Sequence, residues 1–184
     1  VTRMSAYLAL TVSVGLLAVL DTWLFFGPLA TTALAGLVWI SFIAWGCHFH
    51  SGGGTKGTTT AIVCMSWGAV VGMVAVLLAG GPLGGLGAWS PAIAVGLGAA
   101  VICLSSKLPI LATIPASVYG FASVAGPILL KGEDGTMAAT DAIIPTILSI
   151  IIGGIFGYVS EVLANALTKK GDPSAEATAD PEHA

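Results

Sequence analysis

Six long apolar stretches, with almost all charge pushed into the segments between them, constrain this chain more than any motif does. A helix needs ~20 apolar residues to cross the hydrocarbon core of a bilayer. The stretches run from about Ala6 to Phe26, Leu29 to Phe49, Thr59 to Ala79, Leu83 to Leu104, Leu108 to Leu130 and Ala142 to Leu167. Charged residues make up 8% of the 184 residues and hydrophobic ones 56%, whereas a soluble domain carries about 25% charge. So few charges cannot coat a water-facing surface, which excludes a soluble globular enzyme; the hydrophobicity excludes disorder. The expected fold is an all-α integral membrane protein, with six transmembrane helices within residues 1–170 and a polar, acidic, disordered tail at 171–184 that carries Pro173 and Pro181. The first stretch has no small-residue cleavage site followed by a polar mature domain, so it reads as a membrane helix and not as a signal peptide.

Basic residues set the direction. Arg3 precedes span 1, Lys56 lies between spans 2 and 3, Lys107 between spans 4 and 5, and Lys169 and Lys170 follow span 6. With the N-terminus inside, all of these are cytoplasmic, and only Lys131, beside Glu133 and Asp134, falls outside. Both termini are therefore expected in the cytoplasm. The acidic excess sits in the tail, at Asp172, Glu176, Asp180 and Glu182. The remainder is near neutral and offers no basic face to nucleic acid. Cys47, Cys64 and Cys103 show no metal-ligand spacing and read as small buried apolar residues. No metal and no cofactor is expected.

Three spans followed by three of the opposite sense suggest two inverted repeats, about 6–79 and 83–167. Gly68 and Gly72 in span 3 and Gly153 and Gly157 in span 6 form small-xxx-small patterns at the same ordinal position of each half. Helices in lipid associate by close van der Waals contact, which such residues permit, so these four glycines are read as helix-packing positions. Gly96, Gly98, Ala116 and Gly120 fit the same logic. A tightly packed bundle or oligomer accounts for the glycines; so does a passage lined by exposed backbone.

The stretch Lys107 to Ala122 is the most informative. Pro115 sits inside span 5, where it removes a backbone donor and clashes with the preceding turn. Thr113 is positioned to cap a new helix starting near Pro115, which breaks span 5 into two half-helices. The second half points its positive N-terminus at the membrane interior, with Ser117 in its first turn and Tyr119 close behind. Such a site suits a small anionic or hydrogen-bonding solute. The competing reading is a simple proline kink. Ser90-Pro91 gives a similar helix-start signal in span 4, after a glycine-rich external loop at 80–87.

Other polar residues read as follows. The Gly52 to Gly57 segment lacks the Walker spacing and reads as the turn between spans 2 and 3. His48 and His50 point to different helix faces, so they do not make a zinc pair and read as part of an interfacial belt with Phe49. Asp141 complements the dipole at the start of span 6. Asp21 and Glu161 are expected to be shallow enough to reach water. No span carries a charge deep inside, and no nucleophile has a His or Asp partner, so an enzyme is not expected.

Trp45-Gly46-Cys47 with Gly53 to Gly57, Ile114-Pro115-Ala116-Ser117-Val118-Tyr119-Gly120, and Pro145 followed by Ile155-Phe156-Gly157-Tyr158 together resemble the YcdZ-type family of small uncharacterised bacterial inner-membrane proteins. The resemblance covers most of the six spans. It implies a compact multi-span inner-membrane protein, supplies no activity, and gives Pro115 and Ser117 more weight than the histidines.

The resulting expectation is a channel or facilitator in the lipid bilayer for a small polar solute or anion, alone or as a homo-oligomer. Thr113, Pro115, Ser117 and Tyr119 line its path, and Gly120 admits a neighbouring helix. The alternative is a non-transporting accessory subunit whose glycine faces pack against a partner membrane protein.

Overall fold

The computed structural model describes residues 4–130 and 137–168. Arg3, Lys131, Glu133, Asp134, the Lys169–Lys170 pair and the acidic tail at 171–184 lie outside the described residues. Six α-helices form within them: α1 (Ala6–Phe26), α2 (Val38–His50), α3 (Gly54–Gly80), α4 (Trp89–Ser105), α5 (Ile114–Leu129) and α6 (Ala139–Leu167). The fold of the described residues is all-helical, apart from a lone parallel bridge between Met4 and Thr168, where the Met4 N–H donates to the Leu167 carbonyl at 3.1 Å. That bridge sets the start of α1 and the end of α6 at one end of the bundle, the basal end. Successive helices alternate between this end and the opposite, distal one.

Helix lengths divide the elements into two kinds. α1, α3 and α6, with 21, 27 and 29 residues, are long and apolar enough to cross a membrane. α4 and α5 are shorter apolar helices of 17 and 16 residues, and α2 has only 13. The continuous helix expected over Leu29–Phe49 is therefore replaced by turns from Gly27 to Leu37, after which α2 begins. The cause is local. Gly27 terminates α1, and Pro28 has no N–H with which to continue it. The Thr32 hydroxyl donates to the Leu29 carbonyl at 2.7 Å and accepts from the Leu34 N–H at 3.2 Å, holding a turn that competes with helix. Gly36 adopts φ 72°, which favours glycine.

Span 5 is interrupted in a similar way. A 3₁₀ turn at Pro109–Leu111 precedes α5, whose first turn contains Pro115. Thr113 occupies the N-cap position, but its side chain makes no capping hydrogen bond. In α4 the expected Ser90 start is shifted: Ala88 holds the N-cap position, and the Ser90 hydroxyl donates to the Ala79 carbonyl at the end of α3.

α3 and α6 form the centre and touch each other. The two most extensive interfaces are α5 on α3 and α2 on α6; α4 flanks α3, and α1 flanks α6. Phe25, Ile40, Met65, Val124 and Ile150 are fully buried between these helices. Outward-facing side chains such as Leu16, Val19, Val101, Leu104 and Ile144 are apolar and exposed, whereas Asp21, His48 and many serines face inward. This distribution, apolar outside and polar inside, is compatible with a membrane protein.

Glycine sets how closely the interfaces approach. A Cβ on Gly68 would collide with the carbonyl of Ser117, and one on Gly120 with the carbonyl of Met65, so α3 and α5 meet backbone to backbone. On the other side, a Cβ on Gly153 would collide with the carbonyl of Ser41, and one on Gly157 with the His48 ring. Gly72 lies against Phe121 and Val124, and Gly98 against the Phe121 ring, whereas Gly96 faces open space and plays no such part.

Gly68→Ala and Gly153→Ala are each expected to destabilise the bundle by an overpacking cost of about 1–3 kcal/mol. Thermal unfolding of the purified protein in detergent reads this as a lowered Tm. Gly15→Ala and Gly96→Ala, where an added methyl meets nothing within 4 Å, are the controls and leave Tm unchanged or slightly raised.

Candidate functional site

The two short helices begin alike. α2 starts at Val38 after the turns at 27–37, and α5 starts at Ile114 after the 3₁₀ turn at 109–111. Each carries a serine in its first turn, Ser41 in α2 and Ser117 in α5. Each serine rests its carbonyl on a glycine of a long helix, Gly153 of α6 and Gly68 of α3 respectively. Both serines are buried, and neither hydroxyl has a hydrogen-bond partner.

Those unpartnered hydroxyls belong to a larger set. Ser123 in α5 and Thr146 and Ser149 in α6 are fully buried with unpartnered hydroxyls as well. A helical serine or threonine normally turns back to a carbonyl of its own helix. Thr11, Thr58, Ser105, Ser106, Ser160 and Thr168 do so here, at 2.7–2.9 Å. The interior hydroxyls of α2, α5 and the distal half of α6 do not. Buried polar groups require partners, so this part of the interior has unmet capacity to bind polar atoms.

The structure separates the residues that the sequence grouped around the span 5 break. Ser117 and Gly120 face α3. Thr113 is half-buried and Pro115 is exposed. Tyr119 is half-buried on another face, where its ring meets His50 of α2 edge-on at 6.2 Å. There Tyr119 lines a groove of about 380 Å³ with Ile43, Gly46, Cys47, His50 and Ala122. Ser117 belongs to the polar interior, and Tyr119 to a groove between the two short helices.

Two acidic residues also differ from each other. Glu161 is one-third exposed, consistent with access to water. Asp21, expected to be shallow, is completely buried, with both carboxylate oxygens unpartnered. The Ser41 hydroxyl stands beside it, outside hydrogen-bonding geometry. Its position near the end of α1 implied exposure, but packing buries it, with Ser41 of α2 beside it.

His48 is likewise no surface belt residue; it is fully buried. Its Nε2 lies 3.1 Å from Glu161 Oε2, and its Nδ1 lies 3.1 Å from Thr58 Oγ1. Glycines make room for the ring: a Cβ on Gly157 would strike it, and a Cβ on Gly57 would strike its backbone carbonyl. The Gly54 N–H donates to Glu161 Oε2 at 2.6 Å. Gly52, Gly53 and Gly54 all take positive φ, which wraps the α2–α3 turn around that carboxylate. The Thr58 hydroxyl has one hydrogen. Directed at the Gly54 carbonyl, 2.9 Å away, it leaves Thr58 as acceptor for His48 Nδ1–H, and Nε2 and Glu161 then share a second proton. Directed at Nδ1, it fixes the Nε2–H tautomer, which donates to an ionised Glu161. The network thus has two fully bonded arrangements that differ by one proton.

Further polar links hold the long helices. Trp45 Nε1 donates to Ser160 Oγ at 3.0 Å, and Ser13 Oγ donates to the Ser160 carbonyl at 2.6 Å, joining α1, α2 and α6. Trp67 Nε1 donates to Ser105 Oγ at 2.9 Å, joining α3 and α4. Among the described residues, no group of three His, Cys, Asp or Glu side chains converges as metal ligands.

A family model described as a protein of unknown function, DUF1097, matches residues 11–165. The match spans all six helices, and the chain belongs to that family. No curated protein and no solved structure matches it.

The basal network offers a direct check on the local geometry. Glu161→Ala removes the acceptor shared by the Gly54 N–H and His48, and is expected to raise amide hydrogen exchange across Gly53–Lys56 by at least about tenfold, the equivalent of roughly 1.4 kcal/mol of local protection. Lys56→Ala, which leaves the acceptor in place, does not raise it. Exchange measured by mass spectrometry on the protein in detergent distinguishes the two variants.

Proposed function

We propose that this DUF1097 member is a facilitator that passes a small polar solute along its buried hydroxyls. The observation that carries this reading is the set of interior hydroxyls, Ser41, Ser117, Ser123, Thr146 and Ser149, that are buried without a partner in either their own or a neighbouring helix. In a lipid-exposed bundle such groups are costly unless water or a solute satisfies them. Paired short segments at corresponding positions of two halves are the arrangement in which membrane proteins place a binding site, and α2 and α5 have that character.

The topology that goes with this reading has six crossings. α2 and α5 complete theirs with the irregular stretches at 27–37 and 106–113. α4 needs the turns that precede it. Residues 6–79 and 83–167 form two halves of inverted sense. Supporting this, the packing of α5 on α3 and α4 on α3 is mirrored by that of α2 on α6 and α1 on α6. Lys56 and Lys107 both lie at the basal end, which makes that end cytoplasmic and places Met4 and Thr168 inside. The likeness to YcdZ-type proteins supports a bacterial inner membrane. The Asp21 carboxyl beside Ser41 disfavours an anion, so the solute is read as uncharged and hydrogen-bonding.

Purified protein in proteoliposomes, followed by stopped-flow light scattering with urea, glycerol and formate as probes, tests this. Faster equilibration than in empty vesicles is expected for an uncharged probe and not for formate. Ser117→Ala and Ser41→Ala, which remove a hydroxyl without adding bulk, are each expected to slow that flux about 3–10-fold, the worth of one lost hydrogen bond. Equal rates with and without the protein for every probe, or full flux in the double variant, overturn the assignment.

A further inference from the structure

Among the described residues, the Asp21 carboxyl is the one buried group with two unpartnered oxygens. It is 0% exposed, and neither oxygen accepts a hydrogen bond. An isolated carboxylate in such surroundings costs several kcal/mol unless a positive charge or donors meet it. Among the described residues, the basic side chains Lys56 and Lys107, and the two histidines His48 and His50, all lie at the basal end. Asp21 lies towards the distal end of α1.

The neighbouring group is a hydroxyl instead. Ser41 Oγ stands beside the carboxyl, fully buried and unpartnered. The register of α6 brings a third oxygen to a similar level. The hydrogen bond from Ser13 to the Ser160 carbonyl fixes the register of the antiparallel α1 and α6. At 1.5 Å per residue, Asp21 is about 12 Å along α1 from Ser13. The same rise puts Gly153 about 10 Å and Ser149 about 16 Å from Ser160 along α6, so Asp21 lies between their levels. Ser149 shares the face of α6 that carries Gly153, on which the Ser41 carbonyl rests. Its hydroxyl is also fully buried and unpartnered.

We infer that Asp21, Ser41 and Ser149 form a binding site for a small monovalent cation. Hard oxygen donors suit a hard cation. A single carboxylate neutralises a single charge, so a monovalent ion leaves the buried site neutral where a divalent one would not. The site shares Ser41 with the proposed solute path, but it rests on the burial of Asp21 and not on transport.

The test is thermal unfolding of the full chain in detergent, titrated with NaCl against choline chloride at constant ionic strength, at fixed pH values from 6 to 9. Sodium is expected to raise the wild-type Tm in a saturating manner, and Asp21→Asn is expected to abolish the response while eluting as a folded species on size exclusion. Ser149→Ala is expected to shift the half-saturating sodium concentration upward about tenfold. Should Asp21→Asn not fold, Ser149→Ala and Ser41→Ala carry the test, and unshifted midpoints in both overturn the site. A wild-type Tm indifferent to sodium, lithium and potassium at every pH overturns it too, as does a Tm that moves with pH alone or an undiminished sodium response in Asp21→Asn. A lost sodium response with intact solute flux refutes the cation site alone; lost flux selectivity with an intact sodium response refutes the path alone.

Discussion

Everything in this bundle depends on two places where backbone meets backbone. Ser117 of α5 lies on Gly68 of α3, and Ser41 of α2 lies on Gly153 of α6. In lipid, apolar side chains gain little by meeting one another, so association rests on contact density. Removing the Cβ at the crossing lets two helices approach until carbonyl and Cα touch. A carbonyl from a helix's first turn can only reach that position if the helix begins inside the bundle. The late starts of α2 and α5 and the glycines of α3 and α6 are therefore one device seen from two sides.

That device also explains where polarity collects. The first turn of a helix has N–H groups without intrahelical partners, and each short helix brings a serine into that turn. Close helix approach leaves no space for side chains to fold back over these groups. The result is an interior in which buried hydroxyls such as those of Ser41 and Ser117 sit among apolar residues, beneath an exposed surface rich in large apolar side chains. The basal network differs in kind: there His48, Thr58, Glu161 and the Gly54 N–H satisfy one another.

Some of this was legible in the sequence because its cause is local. Pro115 suits the first turn of a helix, where its missing N–H costs nothing, so a late start of α5 is signalled by one residue. The absence of charge from long stretches marks the apolar helices. The late start of α2 was not legible: it rests on Gly27-Pro28, a threonine turn and one positive-φ glycine, each of which is compatible with a membrane helix. The burial of His48 and Asp21 was not legible either. His48 meets Glu161 across a sequence separation of 113, and Asp21 is covered by helices that follow it in the chain. A position near a helix end sets depth along the axis; it says nothing of which neighbours close over the side. Small-xxx-small spacing identified glycine faces, but not that Gly68 serves α5 and Gly153 serves α2.

The crossing of partners has a consequence for how the chain is made. The short helix of the first half packs on α6, and the short helix of the second half packs on α3. α1 likewise depends on α6, through Ser13 and through the Met4 N–H on the Leu167 carbonyl. Each half therefore holds only the lesser partner of its own short helix, α3 for α2 and α6 for α5. During synthesis α1 and α2 must wait, without their main partner, until α6 leaves the ribosome. The polar interior between them closes only once α6 is in place, which makes α6 the keystone of assembly.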